Sequence, residues 1–413
     1  MEEKTMDCIE KHKKIVSLLL LSVFLILIPF SLYCYGADST PQISSLLSPQ
    51  QLKKWIDNGY RDERGLKVMV LDTSFGPAAR SDYDAGHIPG AHYVDYAKEL
   101  IATRSDGPIM VDLMVPDGPH MDKHLQKYGI DKDTVVVFTG HHIMWMTRGY
   151  WTYRYWGFPQ DHLFVLDGKA TTEKSVWKAA GYPLETKEPP LPQPSSFSVS
   201  IWPGNMDMVR APLQEFMDVA SGKIANAIIL DTRSDVEWNA ELAGIMYSVA
   251  CALHIRNSVW KEWVEELVGA NYTDKATGSH TLKPMAQILA EYRALGLTED
   301  KAVYSLCSSG VRATVPFFIY DGILGRKGKV KVYDGSTREI AQLVHVKNKD
   351  GTYNLPEDSP WRWDIPKYNT TITCQPDPVK VNVPQGVNAS AKSGREINEK
   401  DKGYYREAKT NSQ

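Results

Sequence analysis

Apolar residues along this chain fall into short runs that alternate with helical patterns. Ser48, followed by Pro49 and Gln51, has the composition of a helix start. Continuous apolar runs of a few residues are typical of buried strands. In the first half of the chain, strands are predicted at 68–72, 134–138 and 163–166, and a helix is predicted at 148–156.

The second half repeats this order of elements. Helices are predicted at 212–219 and 313–324, strands at 227–231 and 303–306, and the segment at 330–335 closes the pattern. Short apolar strands that alternate with helices predict parallel strands joined by right-handed crossovers. The predicted fold class is therefore α/β, with two similar domains that each hold a parallel sheet flanked by helices.

Shifts in composition predict the boundaries between segments. The predicted segments are a targeting segment at 1–36, a first domain at 46–186, a linker at 187–200, a second domain at 201–364 and a tail at 365–413. The linker is rich in proline and is expected to be stiff. The tail is polar and lacks apolar periodicity from 390 onward, so a disordered or partner-bound segment is expected there.

The N-terminus differs in kind from the rest of the chain. A basic stretch at 11–14 precedes an uncharged run at 15–34, and the small residues Gly36 and Ala37 follow. This order is typical of a secretory signal peptide that is cleaved before Ala37. The run is also nearly long enough to span a bilayer, so an uncleaved anchor is the alternative. In both cases the globular part is expected to be exported to a periplasmic or extracellular compartment.

Composition excludes some classes of function. Of the 413 residues, 43% are apolar and 23% are charged, as in an ordinary globular chain with room for two domains. The net charge of −3 gives no reason to expect a nucleic-acid partner. No cysteine pair has metal-ligand spacing, so a structural zinc site is not expected. No cofactor is predicted. His141 and His142 are adjacent but lack a third ligand at a suitable spacing, which makes a metal site there the weaker interpretation.

The cysteines set expectations about redox chemistry. Five are present, and Cys8 and Cys34 lie in the predicted targeting segment. The mature chain keeps Cys251, Cys307 and Cys374, so in an exported protein at least one thiol is free or intermolecular. Cys251 is interpreted either as a small buried residue or as a resolving thiol for an oxidised Cys307. Cys374 is a candidate for an intermolecular disulfide.

The most informative segment is 303–314, where an apolar strand ends at Cys307 and a helix begins a few residues later. Its small loop residues direct several backbone N–H groups toward one point at a helix N-terminus, where negative charge is favoured. A cysteine at that point has a stabilised thiolate and acts as a nucleophile. Arg312 adds a positive charge for an anionic substrate. A buried structural cysteine is the alternative, disfavoured because Ser-Ser-Gly at 308–310 is poor core material.

This segment resembles the active-site loop of the rhodanese (sulfurtransferase) superfamily, in which a cysteine opens a six-residue loop and carries sulfur as a persulfide. Four residues lie between Cys307 and Arg312, whereas cysteine phosphatases need five there to encircle a phosphate, so the spacing argues against a phosphatase. The run at 84–92 resembles the first signature of the family. The resemblance covers 46–363 and implies an inactive N-terminal domain and an active C-terminal one.

The resemblance also implies roles for individual residues. Cys307 is then the catalytic residue, and the substrate-binding loop consists of Ser308, Ser309, Gly310, Val311 and Arg312. Counting back from Gly157 and Gly325 places Thr139 at the position of Cys307. A threonine without an adjacent base cannot replace a thiolate, so the first domain is expected to be catalytically silent.

The run at 231–238 resembles the Asp-x-Arg-x-x-x-Glu-aromatic box of single-domain rhodaneses. Asp231 is expected to cap a turn beside the catalytic loop, and Arg233 and Glu237 are expected to pair near it, as a structural ion pair or as a substrate contact. Tandem thiosulfate and mercaptopyruvate enzymes carry an arginine where Glu237 falls. The resemblance therefore does not favour a mercaptopyruvate donor.

Together these features predict a thiosulfate sulfurtransferase. It would move sulfane sulfur from a small anionic donor, thiosulfate or polysulfide, to a thiol or cyanide-like acceptor through a persulfide on Cys307. The alternative is a sulfur-carrier or binding module that docks a redox protein partner and does not turn over.

Overall fold

The structure is a computed structural model that describes residues 44–171, 175–239, 251–253, 255, 258–268, 278–345, 373–374 and 388–411. The predicted targeting segment at 1–36 lies outside the described residues. None of the helices in the described ranges is long and apolar enough to cross a membrane.

Helices flank the strands throughout the described chain. The α-helices are α1 Pro49–Asp57, α2 Ala79–Ala85, α3 Tyr96–Glu99, α4 Gly118–Lys127, α5 Ile143–Tyr155, α6 Val176–Ala179, α7 Met206–Val209, α8 Leu213–Ala220, α9 Asp235–Trp238, α10 Met285–Ala294, α11 Thr314–Phe318, α12 Ser336–His345 and α13 Glu396–Asn411. Shorter 3₁₀ turns span Gln160–His162, Val199–Ile201 and Trp263–Glu266, and a π-helical turn, Ile319–Ile323, continues α11.

The strands are short, as their apolar runs predict. They are β1 Leu46–Leu47, β2 Val68–Asp72, β3 His92–Tyr93, β4 Ala102–Arg104, β5 Val111–Met114, β6 Val135–Thr139, β7 Leu163–Leu166, β8 Ala227–Asp231, β9 Cys251–Ala252, β10 Ser258–Trp260, β11 Ala302–Leu306, β12 Val330–Val332 and β13 Thr373–Cys374.

Two parallel sheets organise the chain. The first has the spatial order β1–β7–β6–β2–β3, and the second has the order β10–β8–β11–β12. Two antiparallel pairs, β4 with β5 and β9 with β13, lie outside these sheets. The predicted fold class, α/β with parallel sheets flanked by helices in two similar halves, is confirmed. The predicted segment boundaries stay predictions.

Helices α5 and α11 join the two halves. Helix α5 packs on β6 and β7 of the first sheet and on α11 of the second half. Twelve of its thirteen residues are buried, so it has no single apolar face, as expected for a helix enclosed by protein. The predicted helix at 148–156 begins earlier than expected, at Ile143, and the one predicted at 313–324 consists of α11 and the π turn.

The expectation of a disordered or partner-bound tail is wrong for residues 388–411. Helix α13 packs against its own chain, where the buried carboxylate of Asp401 pairs with Arg104 at 2.6 Å and accepts a hydrogen bond from Tyr155. The Ile397 N–H donates to Asp106 at 2.9 Å. A segment held mainly by buried polar contacts has no apolar stripe, so periodicity could not reveal its packing.

Candidate active site

The sequence directs Cys307 to the end of a central strand. β11 lies between β8 and β12, and its apolar residues end at Leu306, after which Cys307 opens the loop that leads to α11. Cys307 is 0% exposed, and it is a free thiol. The carboxyl end of a parallel strand is where α/β proteins place their chemistry.

Helix α12 holds the outer side of this loop. The Cys307 N–H donates to Ser336 Oγ at 3.2 Å, and the Cys307 carbonyl accepts from the Thr337 N–H at 3.1 Å. The Ser308 carbonyl accepts from the Arg338 N–H at 3.0 Å. Sequence reasoning missed these anchors, although the Ser-Thr-Arg-Glu run at 336–339 has the pattern of a helix N-terminus.

The inner side of the loop faces the sulfur. The Ser309 N–H donates to Cys307 Sγ at 3.4 Å. The chain then turns at Gly310, whose φ is +72°, and a Cβ at that position would lie 2.4 Å from the Asp334 Cα. Only glycine fits this left-handed turn against neighbouring backbone.

Arg312 is held in a buried ion pair with Glu237. Its Nη1 lies 2.7 Å from Glu237 Oε2 and its Nη2 lies 2.8 Å from Oε1, a two-pronged geometry, and Nη2 also donates to Ser308 Oγ. Burial opposes ionisation of Glu237, but the Arg312 charge and hydrogen bonds outweigh it and lower the pKa of the carboxyl to about 2. The loop arginine is therefore electrically compensated before any substrate arrives.

The predicted pair between Arg233 and Glu237 is wrong. Arg233 instead pairs with Asp231, with Nη2 at 2.6 Å from Oδ2, and it also donates to the Leu253 carbonyl at 3.0 Å. Glu237 folds back over the first turn of α9, where its carboxylate accepts from the Ser234 N–H at 3.1 Å. The Glu237 carboxylate is therefore hydrogen-bonded to Arg312 and Ser234, and Arg233 contributes only the effect of its charge. The predicted turn at Asp231 does form, since its Oδ1 accepts from the Arg233 N–H at 3.0 Å.

Strand pairing corrects the predicted position of the silent residue in the first half. Asp72 pairs with Thr139 in the first sheet, and Asp231 pairs with Leu306 in the second. The hydrogen bonds agree, because the Thr139 and Leu306 carbonyls each accept from the N–H and hydroxyl of a threonine that follows the strand-end aspartate. Gly140, and not Thr139, therefore stands at the position of Cys307.

The π-helical turn explains the one-residue error. Thr147 and Thr314 lie seven residues after Gly140 and Cys307, and their hydroxyls meet at 2.8 Å. Beyond them the Leu324 N–H donates to the Ile319 carbonyl, a five-residue step that inserts one extra residue before Gly325. Counting backward across such an insertion shifts every match by one. Catalytic silence of the first domain stays a prediction, and it now depends on Gly140, which has no nucleophilic side chain.

The histidines of the silent loop sit in a compact cluster. The ring centroids of His141 and His142 are 4.7 Å apart, and those of His142 and His280 are 4.8 Å apart. Burial, together with the neighbouring histidines, lowers the pKa of His142 to about 2. Among the residues that the structure describes, no group of His, Cys, Asp or Glu is arranged to hold a metal ion.

Known proteins resemble this chain in sequence. Residues 48–170 match the family model of the rhodanese-like domain. The sulfur carrier protein TtuD of Thermus thermophilus is 29% identical over 273 residues, covering 64% of this chain and 85% of the relative. A putative thiosulfate sulfurtransferase of Saccharopolyspora erythraea is 28% identical over 269 residues, with the same coverage.

A solved structure shares the fold at low identity. The anaerobic ergothioneine biosynthesis enzyme from Chlorobium limicola, in complex with trimethyl histidine, superposes with a TM-score of 0.57 and 18% identity, covering 76% of this chain and 70% of that one. The family match identifies a rhodanese-like domain at residues 48–170, and the relatives support sulfur transfer as the general chemistry of the chain. The solved structure supports the fold alone.

Proposed function

We propose that this protein moves sulfane sulfur from thiosulfate or a polysulfide to a thiophilic acceptor through a persulfide on Cys307. The Cys307 thiolate attacks the outer sulfur of the donor, and the bond between the two donor sulfurs breaks. With thiosulfate, the electron pair of that bond leaves on sulfite, and the outer sulfur stays on the cysteine as Cys–S–S⁻. The step needs no cofactor.

The orientation of the loop backbone is the observation that carries this proposal. The carbonyls of Cys307 and Ser308 point outward to α12, whereas the Ser309 N–H points at Cys307 Sγ from 3.4 Å. An amide directed at the sulfur stabilises negative charge on the thiolate and on the terminal sulfur of the persulfide. The loop from Ser308 to Arg312 then serves as the substrate-binding element.

The acceptor completes the cycle without any net redox change in the protein. Cyanide attacks the terminal sulfur of the persulfide, thiocyanate forms, and the Cys307 thiolate is regenerated. A small thiol attacks the same sulfur and carries it away as its own persulfide.

Charge compensation at Arg312 limits the attraction of a strongly anionic donor. The Glu237 carboxylate is held at 2.7 Å and 2.8 Å from the guanidinium, so the pair contributes little net field toward a dianion such as thiosulfate. We therefore expect weak thiosulfate use and a broader donor range that includes polysulfide. Sulfurtransfer rates from the two donors, compared at equal concentration and at two ionic strengths, test this preference.

The decisive experiment is the intact mass of the purified protein before and after exposure to thiosulfate or polysulfide. Wild type is expected to gain one sulfur atom that cyanide removes, and C307S is expected to gain none. S309A is the matched control, since it keeps the backbone N–H near Sγ and removes only a hydroxyl. Failure of wild type to gain sulfur from either donor would overturn the proposal.

A sulfur carrier is the second candidate, favoured by the relative named a sulfur carrier protein and by the complete burial of Cys307. In that case the persulfide passes to a partner protein, for example a redox protein, and small acceptors react slowly. One round of cyanide discharge followed by negligible steady-state turnover supports the carrier. Multiple turnovers support the enzyme.

Export of the globular part is a further component of the proposal, and it rests on the N-terminal pattern at 11–37. Fractionation of cells that express the full chain, with N-terminal sequencing of the product, separates a cleaved signal from a retained anchor. Recovery of the intact chain in the soluble cytoplasmic fraction would contradict export.

A further inference from the structure

The register of a small antiparallel ladder brings together two cysteines that the proposed chemistry does not use. β9 and β13 pair so that Cys251 lies directly opposite Cys374, and Ala252 lies opposite Thr373. The two cysteines are 123 positions apart in the sequence, so proximity along the chain does not account for the match. The match results from the pairing of β13, in the tail, with β9, in the second half of the chain.

The backbone spacing of such a pair suits a disulfide. Directly opposed residues in antiparallel strands have Cα atoms about 4.5–5.5 Å apart, whichever kind of pair they form. Disulfides bridge Cα separations of about 4.4–6.8 Å. Strands one residue out of register would place the two cysteines at diagonal positions, beyond easy bridging.

The position of β9 beside the active site is fixed. Two residues after Cys251, the buried Leu253 accepts a hydrogen bond from Arg233 at 3.0 Å, and Arg233 is itself paired with Asp231. Helix α12, which anchors the Cys307 loop, packs against β9. A covalent link at this point would tie the returning tail to the support of the catalytic loop.

We propose that Cys251 and Cys374 form an intramolecular disulfide and that Cys307 stays a thiol. The bond forms by thiol–disulfide exchange with a disulfide oxidant. The two protein thiols give up two electrons and two protons, and the oxidant is reduced to two thiols. This assignment replaces both the resolving-thiol interpretation of Cys251 and the intermolecular interpretation of Cys374. It does not rest on the proposed sulfur transfer, because the pairing is read from mass.

The test is differential alkylation of the full chain after incubation with oxidised glutathione. Free thiols are blocked under denaturing conditions, and the protein is digested with trypsin before and after reduction. Cleavage at lysine and arginine separates Cys251 in 234–256, Cys307 in 302–312 and Cys374 in 368–380. We expect one linked species that joins peptides 234–256 and 368–380, while the Cys307 peptide is not linked to either.

Three matched variants make the outcome specific. C307S should keep the linked species, and C251S or C374S should each abolish it. In wild type, reduction should also lower the Tm by about 5 °C or more, since a long loop is released, whereas C251S/C374S should show no such response. Linkage of Cys307 to either cysteine, a disulfide between two chains, or full alkylation of Cys251 and Cys374 without reduction would overturn the proposal.

Discussion

The two segments that follow the central strands β6 and β11 match in length, but only the second begins with a cysteine. Residues 140–147 follow β6, whose last residue pairs with Asp72, and residues 307–314 follow β11, whose last residue pairs with Asp231. The two segments end at Thr147 and Thr314, whose hydroxyls are 2.8 Å apart. The active loop opens with Cys307 and stays irregular until Thr314. The silent loop opens with Gly140 and becomes helical at Ile143. The scaffold of this loop therefore forms without the thiol.

The two segments differ in the contacts made by the residue at the position of Arg312. At the position that matches Arg312, two residues before the threonine, the first-half segment has Trp145. Its ring packs against those of Phe75 and Tyr96, with centroids 4.5 Å and 4.9 Å apart. The active loop instead has the buried pair of Arg312 with Glu237. Aromatic packing fixes one loop, and a compensated ion pair fixes the other. The ion pair places polar groups in the loop that begins at Cys307.

The largest expected effect comes from breaking that ion pair. E237A leaves the Arg312 guanidinium buried and without its carboxylate, which is expected to cost about 3 kcal/mol or more of unfolding free energy. Urea denaturation at neutral pH measures the loss. The double variant E237A/R312M removes both charges and should recover much of the stability. If the double variant is no more stable than E237A, the pair is not what holds the loop.

The same pair predicts a change in stability with acid. The Glu237 pKa is about 2 in the folded chain against an ordinary value of 4.5. A lowered pKa contributes stability that is fully present above about pH 4.5 and is lost as the pH falls toward 2. Wild type should therefore lose stability more steeply over this interval than E237Q. Parallel curves for the two proteins would contradict the assignment.

The aspartates at the ends of β2 and β8, Asp72 and Asp231, are expected to affect stability in opposite directions when each is replaced by asparagine. Asp231 is paired with Arg233, whereas Asp72 has Ser74 at the matching position, and its Oδ2 is buried without a hydrogen-bond partner. Burial, the largest influence, raises the pKa of Asp72 to about 6 from an ordinary value of 3.8. The charged form is therefore disfavoured in the fold. Stability is fully present below about pH 3.8 and declines as the pH rises to about 6.

D72N should accordingly stabilise the protein at pH 7, by up to about 3 kcal/mol, because a shift of about two pKa units is removed. D231N should destabilise it, since Arg233 loses its charged partner. Chemical denaturation of both variants at pH 7 and pH 4 checks the signs. The gain from D72N should disappear at pH 4, and a gain that persists there would have another cause.

How much of this could be predicted from the sequence differs between backbone and side-chain features. The strands at 68–72 and 163–166 and the helix start at Ser48 follow from local patterns, and the structure has them as predicted. The partner of Glu237 does not follow, because the choice between Arg233 and Arg312 depends on which way a capping side chain turns. The correct match of Cys307 with Gly140, in place of Thr139, depends on one residue inserted at the π-helical turn. The apolar pattern of that segment gives no sign of the insertion.

Glycine substitutions test the geometry of the active loop at a smaller scale. G310A places a Cβ 2.4 Å from the Asp334 Cα and at a φ of +72°, so the loop must shift. Gly222 is the matched control, since its φ is +75° and nothing lies within 4 Å of a Cβ there. G222A should cost about 1 kcal/mol, and G310A should cost more and lower sulfur transfer at least tenfold. Equal effects would mean that the contact with Asp334 is easily relieved.

The smallest expected effects concern the threonines that meet across the interface. T147V and T314V each remove one side of the 2.8 Å contact, and each is expected to cost about 1 kcal/mol. T314V also removes the hydrogen bond from Thr314 Oγ1 to the Val311 carbonyl at 2.6 Å, within the active loop. T147V likewise removes the hydrogen bond from Thr147 Oγ1 to the Met144 carbonyl at 3.2 Å. Both variants should therefore lose similar stability, but only T314V should slow persulfide formation. An equal kinetic effect of T147V would show that the silent loop supports the active one through this contact, and the double variant would measure the coupling energy.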